Sequence, residues 1–400
     1  MDSDILDLPR MRRERYTRLL AEMERRGVGA AMLIIPGNVA YAGGARNVMA
    51  DGDRAGLERN VVVAVKGQSA PHLFTAYPEG APPELPADHI HPPLYPDLEE
   101  GVRAMANAVR DAAGTRLNEG LAIDEYTAAM YTALPRLLAD VRIADAAPML
   151  QAARICKTAD EIECIRRAQR INELAMYDVQ PQARPGVRQN ELMGLFLRRI
   201  FELGATANVV DPIWQPMAPA LAWGPHTVNG DIAFPLTSTD RILRDGDVLW
   251  VDTGIVYNGY ASDFGRTWLV SHRPRPSARQ RDQFKRWCEV RDAVLERVKP
   301  GTTGRALTQA ATAAAGGRRP WMSHLYLIHG IGADSAEMPL IGSNLGEEFD
   351  DSIVLGPGMV LVLEPAVWEE GHAGYRAEVI AAVTETGYRD LTDYSYFPYE

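Results

Sequence analysis

The chain has 400 residues, 46% hydrophobic and 24% charged, the balance of an ordinary soluble globular protein with room for two or three domains and a large core. Its 53 acidic and 42 basic residues give a formal net charge of −11, which excludes a binder of nucleic-acid backbone, since that needs a basic face. Cys156, Cys164 and Cys288 supply neither a disulfide framework nor a CxxC metal pattern, the opening MDSDILDLPRMRRERYTRLL has no signal-peptide core, and no apolar run approaches the ~18 residues of a membrane span, so a cytoplasmic, membrane-free protein is expected.

In chain order, Tyr16, Leu19, Leu20 and Met23 fall at helical spacing and Gly27 stops that helix. Met32–Ile35 reads as a short buried strand, NVVVAVKG as another, and APPELPADHIHPPLYPD as a Pro-rich loop. Helices over 99–113 and 126–138 flank a strand in GLAIDE. Residues 1–153 thus alternate helices and strands, an α/β domain with no cluster of chemical groups. His72, His89 and His91 fall in or near loops and read as solvated.

A new region starts at RICKTADEIECIRRAQRINELAM and runs over 154–400. Thr158 or Asp160 caps a long helix whose apolar face is Ile162, Ile165, Ala168, Ile171 and Leu174. A second helix covers roughly 188–203, strands dominate to 270, residues 275–315 are helical, and strands fill the rest.

The most informative stretch is VLWVDTGIVYNGYASDFGRTWLV. Asn258-Gly259 is the two-residue loop of a hairpin, because a type I′ turn needs positive φ at both positions. Tyr257 then faces Tyr260 and Gly254 faces Asp263, so Asp252 and Asp263 share one face as diagonal neighbours with Cβ atoms roughly 7 Å apart. Read alone, the hairpin is also explained by Asp263 capping a turn while Asp252 pairs with Arg266. Against that, Asp252 follows the buried-strand pattern VLWV, and a buried carboxylate is costly unless it is paired or on a metal.

A second hairpin joins Val360–Val367 to Tyr375–Val383. Symmetric pairing about Gly371 sets Glu364 opposite Glu378, a like-charged pair that asks for a positive partner, and Arg376 has the right strand parity to be part of it. A solvated acidic face is the alternative, weakened by the apolar neighbours of Glu364. His329, in LIHGIGADSAEMP, adds an imidazole after an apolar run. Four carboxylates and one imidazole suit a pair of Mn²⁺, Co²⁺, Fe²⁺ or Zn²⁺ ions, which about 3.5–4 Å apart generate hydroxide and clamp an oxyanion.

These motifs together resemble the pita-bread metallopeptidases of family M24: methionine aminopeptidase, aminopeptidase P, prolidase and the creatinase-like relatives. DTGIVYNGYASDFGRT carries two aspartates eleven residues apart, HGIG resembles the metal-histidine motif, and VLEP and GYRAEVIAAVTETG carry the two glutamates. The resemblance implies an α/β (α+β) protein, with a creatinase-type N-terminal domain (1–153) and a pita-bread catalytic domain (154–400). It implies that Asp252 holds one metal, His329 and Glu364 the other, and Asp263 and Glu378 bridge them. The metals are two divalent transition ions, Mn or Zn favoured. Glu364 doubles as general base, His226 in WGPHTVNGD contacts substrate, and Arg376 props the second glutamate. Trp214, Trp223 and Trp321 either line the pocket or pack in the core. By the same resemblance the protein is a homodimer whose DGDRAGLERN loop rims the neighbour's active site.

The implied activity is hydrolysis of a C–N amide bond, in an Xaa-Pro peptide or small peptide-like metabolite, by a metal-bridged hydroxide. One departure stands out. The family's peptidases place a second histidine seven residues after the first, and this chain has Ala336 there, with Asp334, Ser335, Glu337 and an upstream His324 as polar neighbours. HGIGADSAEMPLI and VTETGYRDLTDYSYFP also partly resemble the dimethylsulfoniopropionate lyases of the same fold. Metal-dependent elimination on a small carboxylate is therefore the alternative, and a non-catalytic pita-bread binding protein the third reading.

Overall fold

The computed structural model describes residues 6–45, 59–217, 240–322, 325–369 and 371–397. The chain divides into two compact units, Met1–Arg154 and Ile155–Glu400.

The first unit is built on one six-stranded mixed sheet. In chain order its strands are β1 (Ala30–Leu33), β2 (Val61–Val65), β3 (His72–Phe74), β4 (Ile90–His91), β5 (Leu121–Ile123) and β6 (Ile143–Asp145). Their spatial order is β4-β3-β2-β1-β5-β6. The central strands are near-continuous apolar runs because both faces are covered. Side chains alternate between two cores: Met32, Val61 and Val63 pack on one side, and Ala31, Leu33 and Val62 on the other. β3 and β4 contain His72 and His91, which are half-buried rather than loop residues.

The second unit opens with the helix Ala159–Val179, started by a reciprocal capping box in which Thr158 and Glu161 satisfy each other's backbone N–H. Its strands are β7 (Ala207–Met217), β8 (Val248–Tyr257), β9 (Tyr260–Ala261), β10 (Phe264–Leu269), β11 (Ile328–Gly330), β12 (Glu337–Ile341), β13 (Val360–Leu363), β14 (Ala366–Val367), β15 (Tyr375–Arg376), β16 (Val379–Val383) and β17 (Tyr388–Asp390). β10-β8-β7, with β9 on β8, form one sheet, β12-β11-β13-β16-β17 a second, and β14-β15 a short ribbon. The helical stretch expected over 275–315 is two helices, Ala278–Leu295 and Gly304–Ala314, separated by Pro300-Gly301.

Both hairpins keep the symmetric registers that their turns dictate. Asn258 (φ 50°) and Gly259 (φ 84°) form the turn of the first. Tyr257 pairs with Tyr260, and farther along Asp252 pairs with Gly265. In the second, Leu363 pairs with Val379 and Ala366 with Arg376, which leaves Glu364 and Glu378 opposed. The long strands expected there are interrupted at these glutamates. Pro365 has no N–H to give the ladder; Glu364 N–H donates to Leu327 O, one step beyond the β11–β13 pairing, and Glu378 N–H crosses to Gly265 O of the other sheet, both at 3.0 Å. The break at Glu378 stitches the two sheets together where the carboxylates gather.

Candidate metal centre

Asp252 comes from β8, Asp263 from the bend between β9 and β10, and His329 from β11; Glu364 and Glu378 sit at the two strand breaks. All five, with Arg376, are 2–8% exposed. Asp252, Asp263 and Glu378 each offer an oxygen within 4.8 Å of the others. His329 Nε2 lies 3.3 Å from Asp263 Oδ2 and 3.8 Å from Glu364 Oε1.

Arg376 is the cation at the centre. One nitrogen is 3.1 Å from Asp252 Oδ2, and another donates to Glu364 Oε2 at 2.6 Å and to Glu378 Oε1. It therefore holds three carboxylates, not the one glutamate that the resemblance implies. The alternative pairing of Asp252 with Arg266 does not form. Arg266 instead donates to the carbonyls of Gly265, Glu378 and Tyr394 and lies over the Phe264 and Tyr396 rings.

The electrostatics are unbalanced. Fully ionised, four buried carboxylates face one guanidinium, leaving three negative charges in excess. Burial raises Asp263 well above the ordinary carboxylate range, and Asp252 and Glu364 push it further. Glu378 is driven up in the same way, by burial and then by Asp263. Burial also raises Asp252, opposed by Arg376. For Arg376, burial pulls down, but Glu378, Asp252 and Glu364 together outweigh it, and the guanidinium is held firmly charged.

A small pocket of about 80 Å³ opens on the cluster, its remaining wall formed by Leu325, Tyr326, Ser335 and Ala336. Ala336 thus lines the site without offering a donor. The sequence reading missed Tyr326, whose ring centre is 5.1 Å from that of His329; its position three residues before His329 gives no periodic signal, because it lies outside a strand. It also missed the buried ion pair of Lys157 Nζ with Glu337 Oε1, 2.7 Å, which anchors the residue after Ala336. The HGIG glycines prove to make room for the neighbouring strand: a Cβ at Gly330 would lie 2.2 Å from Met338 O, and one at Gly332 2.5 Å from Glu337 Oε1.

His226, Trp223 and His324 lie outside the described residues, as does nearly all of DGDRAGLERN. Trp214 and Trp321 are core residues. Trp214 packs on Phe196 and Trp268, and Trp321 donates to Gly342 O at 2.7 Å.

The model of metallopeptidase family M24 matches residues 163–385, more than half of the sequence. The chain belongs to metallopeptidase family M24. It is a hydrolytic enzyme of that family, whose members use divalent metals. It is 26% identical over 277 residues to an uncharacterized peptidase, YqhT, of Bacillus subtilis, a match covering 68% of this chain and 72% of that protein. To the Xaa-Pro dipeptidase of Pyrococcus furiosus it is 29% identical over 246 residues, 60% of this chain and 63%, just under two thirds, of that one. The solved prolidase of Pyrococcus horikoshii superposes with a TM-score of 0.73 over 96% of this chain and 99% of that chain at 20% identity, which establishes the pita-bread fold. No described helix is long and apolar enough to cross a membrane.

The M24 centre here fits divalent cations on three observations. The excess of buried carboxylate charge asks for positive charge beyond Arg376. Glu378 Oε2 is buried with no hydrogen-bond partner among the described residues. His329 Nδ1 donates to Gly330 O at 2.9 Å, which leaves Nε2 as the lone-pair nitrogen facing the carboxylates, as a metal-ligating imidazole requires. Gly265 belongs to the same arrangement: a Cβ there would lie 2.5 Å from the Glu378 carboxyl.

Proposed function

We propose that this M24 enzyme cleaves a C–N amide bond in a small peptide, Xaa-Pro by similarity to its dipeptidase relatives, with two divalent transition ions, Mn²⁺ or Zn²⁺. The carrying observation is the buried carboxylate excess into which His329 presents a lone pair. Asp252 would hold one ion, His329 and Glu364 the other, and Asp263 and Glu378 both. Bound there, such ions acidify water and polarise a carbonyl oxygen.

The chain's own residues supply the rest. Glu364 takes the proton of the attacking water and returns it to the leaving amine. Arg376 donates to Glu364 Oε2 and so fixes the orientation of the carboxylate, whose Oε1 faces His329. The pocket of about 80 Å³ opens on the carboxylate cluster, where the scissile bond would lie. His226 is proposed as a substrate contact. Assembly as a homodimer and a cytoplasmic location belong to the same reading.

Metal content by mass spectrometry on protein purified without chelator, with Asp263→Ala as control, tests the centre. Two ions per chain, lost in the variant, together with hydrolysis of Xaa-Pro dipeptides under Mn²⁺ or Zn²⁺, are the expected result. No bound metal after reconstitution would sink the ligand assignment. Ala336 in the pocket wall favours the lyase as the second reading, because the histidine of the family's peptidases is absent there. Reaction in ¹⁸O-labelled water separates the two: hydrolysis puts the label into the product acid, elimination does not.

A further inference from the structure

The first unit gathers three histidines, side chains of a different kind from the carboxylate centre. β3 and β4 run parallel at the sheet edge and bring His72 beside His91, with Nδ1 of the first 3.0 Å from Nε2 of the second. His89, two residues before His91, stacks on His72 with ring centres 4.0 Å apart and an interplanar angle of 15°. Phe74 stacks on His91, with ring centres 4.6 Å apart.

The outward hydrogen bonds fix the tautomers. His72 Nε2 donates to Gln68 Oε1 at 2.9 Å, so Nδ1, facing His91, has the lone pair. His89 Nδ1 donates to Pro71 O at 3.2 Å. An imidazole that gives its far N–H to a carbonyl and turns its other nitrogen inward is the arrangement seen around bound metals. Asp88 acts on both rings as a nearby negative charge.

We propose that His72 and His91, with His89 beside them, form a binding site for one divalent transition cation on the N-terminal unit. Two nitrogens 3.0 Å apart, each at about 2.0–2.1 Å from an ion, subtend roughly 90°. That matches tetragonal Cu²⁺ or Ni²⁺ better than tetrahedral Zn²⁺. On binding, the proton that His91 Nε2 shares with His72 moves to His91 Nδ1, so the neutral ring ligates without net proton release.

The test is Cu²⁺ titration of the full-length Asp263→Ala protein, in which the carboxylate centre is one ligand short and retains a single imidazole, followed by electron paramagnetic resonance. One Cu²⁺ per chain with coupling to at least two nitrogens is expected. His72→Gln and His91→Gln should each weaken it by tenfold or more, and Gln68→Ala, which removes only the outward partner, by about 10–100-fold. Equal affinity and equal nitrogen coupling in His72→Gln and His91→Gln overturn the proposal. Should either variant fail to fold, imidazole resonances of the unsubstituted histidines decide: Cu²⁺ must broaden those of His72 and His91 at substoichiometric ratio, and sharp signals there overturn the site.

Discussion

Both units bury carboxylates, and they stabilise them in different ways. In the first, Asp124 accepts from the backbone N–H of Ile34 (2.8 Å) and Ile35 (3.2 Å) and from Asn38 Nδ2 (3.0 Å). Burial raises it, these donors pull it back, and it stands at about 6. In the second, Asp263 and Glu378 receive little such relief and crowd each other, and both are driven well above the ordinary range. A lone carboxylate ringed by N–H donors closes a loop onto a helix start. Carboxylates facing one another, short of donors, mark a place where a cation belongs. The distinction rests on partners as well as on depth, since Asp124 is partly exposed and Asp263 and Glu378 are buried.

Removing the one cation on the crowded side should have the largest effect. Arg376→Met leaves four carboxylates without a counter-charge, and we expect a loss of about 3–5 kcal/mol in metal-free protein, the usual cost of breaking a buried pair. Urea unfolding of the chelated protein measures it, and a loss under 1 kcal/mol would mean that the cluster simply protonates. Next comes the pH dependence of the Asp124 side. Its folded value lies above the unfolded one, so between about 3.9 and 6 the folded state binds more protons and stability falls as pH rises. The decline totals about 3 kcal/mol and is complete above pH 6. Asp124→Asn should remove that slope; an unchanged slope would assign it to other groups. Slightly smaller, ion by ion, is the effect of metal itself: saturating Mn²⁺ or Zn²⁺ at a hundredfold excess over Kd should stabilise the protein by about 2.7 kcal/mol for each ion bound, with that stabilisation lost in Asp263→Ala.

The carboxylate side was legible in the sequence because turn chemistry propagates. Asn258-Gly259 fixes one register and symmetry about Gly371 the other, and the pairing then sets the acids as two pairs, Asp252 with Asp263 and Glu364 with Glu378; that the pairs meet came only from the resemblance. Arg376 was legible by parity, but its three-way contact was not, since that depends on how separate sheets meet. Ala336 was visible as a departure, and its place in the pocket wall needed the fold. The histidine group was misread as solvated loop. His72 and His91 are 19 residues apart across a Pro-rich segment, and no local pattern announces that β3 and β4, of three and two residues, will pair. Short strands carry too few residues to show alternation, so their side chains can be placed only through their neighbours.

The comparison sharpens to one pair of isosteric substitutions with opposite signs. Glu378→Gln in metal-free protein removes a charge that burial and Asp263 both oppose, and its amide nitrogen gives Asp263 a donor. Metal-free stability should therefore rise by about 1 kcal/mol, while metal binding is lost. Asp124→Asn also removes a buried charge, but one amide position must then face the Ile35 N–H or the Asn38 amide, donor against donor. Above pH 6 this mismatch, about 1–3 kcal/mol, opposes relief of the burial penalty, and below pH 4, where Asp124 is already protonated and no relief remains, the mismatch alone is read. The cleanest measurement is thus paired unfolding of the two variants in chelator: Glu378→Gln at neutral pH, where its gain is largest, and Asp124→Asn near pH 4, where its loss is undiluted. If both variants lose stability, Glu378 is held by its contacts as Asp124 is, and the crowded cluster is structural rather than a seat for metal.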